Sequence, residues 1–331
     1  MIITRTPFRI SFFGGGTDYP AWFRSHGGAV LSTSIDKYCY ITARFLPPFF
    51  EHRHRIVYSK IENVREIREI EHPAVRAVLD WMRWERGLEI HHDGDLPARS
   101  GLGSSSSFTV GLIHALNALL GRYVSKDELA NQAIHVEQEV IREAVGSQDQ
   151  VSAAFGGFNR VKFRPDGAFE VAPVILPRER TSELHRHLML CFTGLSRYAS
   201  EVAKSTIENL GAREAQLKRM GEMVEEAARI LATPSTPIAE FGKLLNEGWQ
   251  HKRALSDKVS TSLVDELYET ARSAGAIGGK LMGAGGGGFL LLFAPPEMQA
   301  KVRARLAKLV HVPFEFEADG SRVVLYQPNG L

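Results

Sequence analysis

Apolar and polar positions follow two different periods along this chain, and the period predicts the elements. Residues 1–13 and 37–46 are rich in apolar, β-branched and aromatic residues, which is typical of strands. Residues 73–86 carry apolar positions three and four apart behind a proline, which predicts a helix ending near Gly87. Ser125 with a glutamate three residues later is a capping box, and it predicts a helix running to about residue 145.

The second half of the chain mixes the two periods in the same way. Segments 187–194 and 289–295 predict strands, and residues 198–231 predict one long charged helical region. With 331 residues the chain exceeds one ordinary core, so we expect two domains, 1–180 and 181–331. This mixture predicts an α+β protein.

Composition excludes several classes of protein. A formal net charge of +2 gives no reason to expect nucleic-acid binding. No apolar run approaches the ~18 to 20 residues of a membrane helix, so no membrane partner is expected. Cys39 and Cys191 lie far apart in apolar contexts without a second ligand nearby. They predict packed thiols in a reducing cytoplasm rather than a metal site.

Three glycine-rich segments, Arg5–Asp18, Leu96–Ser107 and Lys280–Gly288, each adjoin an apolar strand or helix. In the middle one, GLGSSSS runs straight into an apolar helix, which favours a phosphate-binding helix N-terminus over a flexible linker. The segment lacks the GK[ST] of a Walker A loop and the GxGxxG of a dinucleotide fold. Protein-kinase HRD and DFG motifs are also missing from the sequence.

Two carboxylates follow this loop. Glu137 falls on the apolar face of the helix that begins at Ser125, whereas Glu139 falls on the opposite face. A buried carboxylate needs a partner, so Glu137 either pairs with an arginine or ligates magnesium. Asp149 lies twelve residues further on, in GSQDQ, where an ordinary helix cap is the alternative to a catalytic role.

These segments together resemble the GHMP kinases. The resemblance is carried by the three glycine-rich segments in their order and by QDQVSAAFGGFN, CFTGLSRYASEVA, WQHKRALS and GGKLMGAGGGGF, and it spans Arg5 to about Leu292. It implies an N-terminal α/β domain, a C-terminal ferredoxin-like α+β domain and an active site between them. It also implies ATP, Mg²⁺ and phosphoryl transfer to the anomeric hydroxyl of a sugar.

The resemblance also implies roles for single residues. Asp149 would accept or orient the proton of the attacking hydroxyl, and Arg9 would hold Asp149 ionised beside the transferred phosphoryl group. Ser105, with Ser104 as the nearest alternative, and Glu137 would ligate Mg²⁺. The residues implied around the ATP phosphates are Gly101, Leu102, Gly103, Ser104, Ser105 and Ser106.

The acceptor side rests on the same resemblance. The sugar would meet Gly15, Gly16, Thr17, Asp18, Gly283, Gly285 and Gly286. Galactokinases carry Glu-His where this chain has Gly15 and Gly16, which leaves room for a larger or more anionic sugar. The segments are most similar to the heptose 7-phosphate branch of the family, and the product would be heptose 1,7-bisphosphate for surface polysaccharide. Arg197 is the first candidate for the 7-phosphate. The weaker candidates for the 7-phosphate are Arg99, Lys37 and His52–Arg55. Lys280 is a weaker candidate for a place in the active site.

Two alternatives stay open at this point. An L-fucokinase shares the GGGTD and TGxSR features, and a non-catalytic sugar sensor could keep the same scaffold. Retention of Asp149, Glu137 and Arg9 argues against the sensor. The sequence does not fix the oligomeric state, and a homodimer is left open.

Overall fold

The computed structural model describes residues 1–98, 100–195 and 199–328. Two sheets organise this part of the chain. Its strands, β1 to β13 in chain order, are Ile2–Phe13, Gly28–Phe45, His54–Val57, Ile61–Val64, Leu88–Gly94, Phe158–Phe163, Phe169–Pro173, Leu188–Phe192, Gly278–Leu281, Phe289–Phe293, Val310–Val312, Phe316–Glu317 and Arg322–Tyr326.

Helices cover both sheets and supply the termini that line the central cavity. In the described residues the helices, α1 to α11 in chain order, are Pro20–His26, Pro73–Trp81, Ser104–Leu119, Lys126–His135, Gln148–Phe155, Arg178–Arg186, Ala199–Glu208, Glu214–Ala232, Ala239–Arg253, Ser262–Ser273 and Pro296–Arg305. None of the helices described is long and apolar enough to cross a bilayer.

The long strand β2 is the axis of the first sheet. It pairs antiparallel with β1 along most of its length, while its first half also pairs with β6 and its second half with β5. The parallel pair β5–β3 and the hairpin β3–β4 extend the sheet beyond β5. Residues 8–13 of β1 are buried throughout, which explains why this strand is rich in apolar residues; Arg9 and Ser11 are buried among them.

The last strands of the chain return to the first sheet. β13 pairs with β1 on the side away from β2, and β12 pairs with β2. A hydrogen bond of 2.8 Å between the Thr6 and Ser321 hydroxyls fixes the contact inside the core. The division of the chain at residue 180 stays a prediction, but residues 316–326 lie with the first sheet rather than with the second.

The second sheet is small and antiparallel. Its order is β11-β8-β10-β9, so the four strands, counted along the chain, lie in the order 4-1-3-2. Helices separate β8 from β9 and β10 from β11, which gives the βαββαβ pattern of a ferredoxin-like unit. The prediction of an α+β fold with such a second unit is confirmed.

Three helix predictions were wrong in extent. The helix that begins at Pro73 ends at Trp81, before Gly87. The helix that begins after Ser125 keeps its capping box, but it ends at His135 and continues as a π-helical turn, Val136–Val140. Arg142 then takes a left-handed conformation, with φ 62°, and the chain stays irregular up to Ser147. The region predicted as one helix over 198–231 is divided by a 3₁₀ turn at Leu210–Arg213.

Candidate active site

The three glycine-rich segments line one cavity of about 920 Å³. The turn after β1 contributes Gly15 and Gly16, the N-terminus of α3 contributes Ser104 to Ser106, and the loop after β9 contributes Gly283. The segments are separated by about 90 and 180 residues in the sequence, yet the fold brings their backbones together.

The middle segment forms the N-terminus of α3. Gly103 precedes the helix with φ 78°, a left-handed conformation that a glycine adopts without strain. The hydroxyl of Ser107 donates to the Pro7 carbonyl over 2.9 Å and ties the first turn of α3 to β1. The helix terminus, with its backbone N–H groups and the exposed Ser105, therefore lies at the cavity wall, which suits an anion. The side chain of Leu102 is buried in the core instead.

The middle and third glycine-rich segments touch through bare backbone. A Cβ atom built on Gly283 would lie 2.5 Å from the Gly101 Cα, and one built on Gly101 would lie 2.5 Å from the Met282 carbonyl oxygen. Both glycines have positive φ, 69° at Gly283 and 87° at Gly101. Only glycine fits at this contact between the phosphate loop and the second half of the chain.

Arg9 links the phosphate loop to Asp149. Its Nε and Nη2 donate to the two carboxylate oxygens of Asp149 over 2.8 and 2.7 Å, and its Nη1 donates to the Gly101 carbonyl over 2.6 Å. The arginine side chain is 5% exposed and the aspartate side chain is 26% exposed. A bidentate pair of this kind fixes the carboxylate in direction as well as charge, while one face stays open to the cavity.

Asp18 lies deep in the same cavity. Its carboxylate accepts hydrogen bonds from the backbone N–H groups of Gly16, over 2.8 Å, and Gln148, over 3.3 Å. Burial is the main reason that the pKa of Asp18 lies above its usual value. The neighbouring Thr17 does not face the cavity, because its hydroxyl bonds to the backbone of Gly14 and Ala29. Its predicted contact with the substrate stays a prediction.

Glu137 is buried, as its place on the apolar helix face predicted, whereas Glu139 is exposed. Its Oε2 accepts hydrogen bonds from the Ser106 hydroxyl, over 2.9 Å, and from the Gln150 amide. Its Oε1 is buried without a hydrogen-bond partner among the described residues, and no arginine pairs with it there. Burial raises the pKa of Glu137 to about 7. The π-helical turn aims this carboxylate at the serine run.

Ser105 and Ser106 take different positions. Ser106 is buried and bonds to Glu137, whereas Ser105 is exposed on the cavity wall. The contact with the carboxylate thus belongs to Ser106, and the role predicted for Ser105 stays a prediction.

Two buried lysines of the second half also line the cavity. Lys252 in α9 donates to the carbonyls of Leu281, over 2.7 Å, and Gly283. Lys280 in β9 donates to the Phe12 carbonyl over 2.9 Å. Burial lowers the pKa of Lys280 to about 7 and lowers that of Lys252 well below its usual value. Lys280 was only a weak candidate from its sequence context, and Lys252 was not predicted, although it lies within WQHKRALS.

The outer end of the cavity is aromatic. The His72 ring stacks on the Phe108 ring with centroids 4.7 Å apart, and the Tyr58 and His92 rings meet this pair edge-on at 4.8 and 4.9 Å. These rings come from separate elements, so no local pattern in the sequence pointed to them.

Several predicted residues lie elsewhere. Arg99 and Arg197 fall outside the described residues. Lys37 bonds to Asp36, and Arg53 and His54 line a different cavity beside β3. Gly285 and Gly286 contact Val259 in the wall behind Gly283.

Comparisons with known proteins identify the family. Residues 67–157 match the N-terminal domain of the GHMP kinases, and residues 223–311 match the C-terminal domain. The chain is 31% identical over 323 residues, 93% of both chains, to the D-glycero-alpha-D-manno-heptose 7-phosphate kinase of Campylobacter jejuni. A mevalonate kinase of Thermococcus gammatolerans is 30% identical and is matched over 75% of this chain and 74% of its own.

A solved structure has the same fold. It is described as a D-glycero-D-manno-heptose 1-phosphate kinase from Bacteroides thetaiotaomicron, with a TM-score of 0.79, 23% identity and 98% of each chain covered. The fold and the cavity define a small-molecule kinase of two units. The chain belongs to the GHMP kinase family, whose members transfer a phosphoryl group from ATP to a hydroxyl group.

Proposed function

We propose that this kinase phosphorylates the anomeric hydroxyl of a heptose 7-phosphate, yielding heptose 1,7-bisphosphate for the synthesis of activated heptose and surface polysaccharide. The contact that carries the proposed reaction is the bidentate pair between Arg9 and Asp149, tied to Gly101 of the phosphate loop. Support for the acceptor comes from the relative in Campylobacter jejuni, matched along 93% of both chains.

Asp149 would orient the acceptor hydroxyl and receive its proton as the oxygen attacks the terminal phosphorus of ATP. The bond to the bridging oxygen then breaks, and ADP leaves. Phosphoryl transfer passes through a loose transition state, so positioning and neutralised charge contribute most of the rate. Arg9 would contribute to positioning, because its guanidinium holds the Asp149 carboxylate and the loop carbonyl together, and to charge neutralisation, because it is a cation.

Glu137 and a hydroxyl of the serine run fit Mg²⁺. The buried, unpartnered Oε1 of Glu137 is a hard oxygen donor beside a hydroxyl. Groups of three or more His, Cys, Asp or Glu side chains suited to a metal are absent from the described residues. Mg²⁺ needs no such group, because it takes one or two carboxylates together with the substrate phosphates. When bound, the ion would neutralise phosphate charge.

The nucleotide would lie along the cavity, with its phosphates at α3 and its base at the aromatic end formed by Tyr58, His72, His92 and Phe108. The acceptor would lie near Asp18 and the glycines of the first turn, where Gly15 and Gly16 carry no side chains.

A coupled ADP-release assay tests the proposal. Purified enzyme with ATP and Mg²⁺ is offered D-glycero-D-manno-heptose 7-phosphate, the corresponding 1-phosphate, L-fucose, mevalonate and galactose. We expect turnover of the 7-phosphate. For Asp149→Asn we expect kcat to fall roughly 1,000-fold, because the amide no longer orients the acceptor hydroxyl in the same way and cannot take its proton. Turnover of the 1-phosphate or of another acceptor instead would refute the heptose 7-phosphate assignment.

L-Fucose is the second candidate. A bifunctional fucokinase/GDP-fucose pyrophosphorylase of Arabidopsis thaliana is 26% identical over 93% of this chain, which amounts to 31% of that protein. Turnover of L-fucose, with no activity on the heptose phosphates, would favour this alternative. ATP binding without turnover of any sugar would favour a sensor.

A further inference from the structure

Lys252 and Lys280 form a pair of buried lysines that the reaction described above does not use. Lys252 is 8% exposed and Lys280 is 6% exposed, and both line the cavity. They come from adjacent parts of the second unit, α9 and β9. Burial is the main reason that the pKa of each lysine is lowered, Arg9 lowers both further, and Lys280 also lowers the pKa of Lys252.

Their hydrogen bonds leave donors free for a ligand. An ammonium has three N–H groups. Lys252 uses two of them on the Leu281 and Gly283 carbonyls, and Lys280 uses one on the Phe12 carbonyl. One donor on Lys252 and two on Lys280 are therefore not engaged by these bonds.

Neither lysine forms a salt bridge among the described residues. Within residues 1–98, 100–195 and 199–328, no carboxylate pairs directly with Lys252 or Lys280, although Asp18 acts on both and Asp149 acts on Lys252 from further away. Asp149 is already held by Arg9, and Asp18 accepts two backbone N–H groups. A buried lysine without a directly paired carboxylate is costly to charge, and an incoming anion would stabilise its charged form.

We propose that Lys252 and Lys280 form the seat for a phosphate group at the acceptor end of the cavity. The proposal rests on the proposed function, because a kinase with a phosphorylated acceptor brings two such groups there: the acceptor's own phosphate and the phosphoryl group in transfer. Lysine binds phosphate as a compact point charge, and two of them balance a dianion.

The bonds of the two lysines locate the seat. Lys280 reaches the end of β1, just before the turn that holds Gly15 and Asp18, and Lys252 reaches the loop around Gly283. The seat thus lies between the first and third glycine-rich segments. Lys252 also fixes the backbone that meets Gly101, so it combines charge with positioning.

Binding of inorganic phosphate tests the seat directly. ADP first saturates the nucleotide end of the wild-type protein. Phosphate is then titrated against chloride at equal ionic strength, and the rise in Tm gives the Kd. We expect Lys280→Met and Lys252→Met to weaken phosphate binding at least tenfold. The control is Lys243→Met, an exposed lysine of the same helix that pairs with Glu240. No phosphate response in the wild type, or an unchanged Kd in both folded variants, overturns the proposal.

Kinetics separate the two sources of phosphate. A KM raised at least tenfold for the heptose 7-phosphate, with the KM for ATP unchanged, assigns the seat to the acceptor's phosphate. A kcat lowered equally for the heptose 7-phosphate and for the unphosphorylated heptose assigns it to the phosphoryl group in transfer. Unchanged values of KM and kcat in both variants overturn the proposal.

Two safeguards keep the test decisive. If Lys252→Met fails to fold because Gly283 loses its support, Lys280→Met carries the test, since Lys280 holds a single carbonyl. If the wild type does not use the heptose phosphate while phosphate binding still depends on the lysines, the proposed acceptor fails and the seat stands.

Discussion

Burial changes the protonation of single side chains in this cavity. Lys280 has a pKa of about 7 in the folded protein, because burial penalises its charge. In the unfolded chain its pKa returns to about 10.5. Below pH 7 the lysine is charged in both states, so the cost of burying that charge is present in full. Between pH 7 and 10.5 the unfolded chain binds the extra proton, and the folded state gains stability as the pH rises.

The variant Lys280→Met exposes this dependence. Relative to the variant, the wild type should gain up to about 1.4 kcal/mol in free energy of unfolding for each pH unit between 7 and 10. Urea unfolding at pH 7, 8, 9 and 10 measures the difference. Lys243→Met, which removes an exposed lysine, should show a difference from wild type that does not change with pH over this range. A constant difference for Lys280→Met would contradict the prediction.

Phe108 gives a second prediction at this scale. The substitution Phe108→Leu removes the ring that stacks on His72, and we expect the KM for ATP to rise about tenfold, because stacking on a base contributes roughly 1–3 kcal/mol. The KM for the acceptor should stay unchanged. Phe169→Leu, at an aromatic contact outside the cavity, serves as the control. An unaltered KM for ATP in Phe108→Leu would contradict the placement of the base at this end of the cavity.

At the scale of elements, turns join the two halves of the site. Gly101 lies in the phosphate loop before α3, and Gly283 lies in the loop after β9. Their backbones meet where no side chain fits. The same contact leaves Gly101 free to accept the hydrogen bond from Arg9. Movement at this point would therefore disturb the loop, the arginine and Asp149 together.

The variants Gly283→Ala and Gly121→Ala separate the effect of the left-handed conformation from the effect of a steric clash. Their φ angles are 69° and 70°, but a Cβ at Gly121 meets nothing within 4 Å. Both variants should lose about 1 kcal/mol of stability from the left-handed conformation. Only Gly283→Ala should also lose activity, at least tenfold in kcat, because it pushes against Gly101. Equal activities, measured by ADP release, would contradict the role given to this contact.

The helix that carries Glu137 illustrates what sequence can and cannot predict. The capping box and the apolar face gave its start and the burial of Glu137, because both depend on local spacing. The π-helical turn and the left-handed Arg142 were not predicted, since they follow from the fit between this helix and α3. For the same reason the partner of Glu137 proved to be Ser106.

At the scale of the whole molecule, the last strands of the chain complete the first sheet. β13 covers the edge of β1 that faces away from β2, and β12 adds to β2. From the sequence alone, residues 316–326 were placed in the second domain, 181–331, because strand pairing over 300 residues leaves no local signal. Glycine-rich segments were easier to recognise, since each is a local feature.

Truncation tests this closure. Removal of residues 316–331 should destabilise the first unit, because it uncovers the edge of β1 and removes the Ser321 contacts with Thr6 and His114. We expect a fall in Tm of more than 5 °C or insoluble protein, roughly the effect of losing several kcal/mol. Removal of residues 329–331 leaves β13 intact and should change little. A full-length Tm after the longer truncation would refute this account.

The return of β13 to β1 also sets an order of events during translation. The first strand leaves the ribosome early, yet its outer edge finds its partner only after residues 322–326 have emerged. Such non-local pairing is slow, and an open edge invites wrong partners. The nascent chain therefore carries one unpaired strand edge through nearly its whole synthesis, and this interval is where chaperones would act on it.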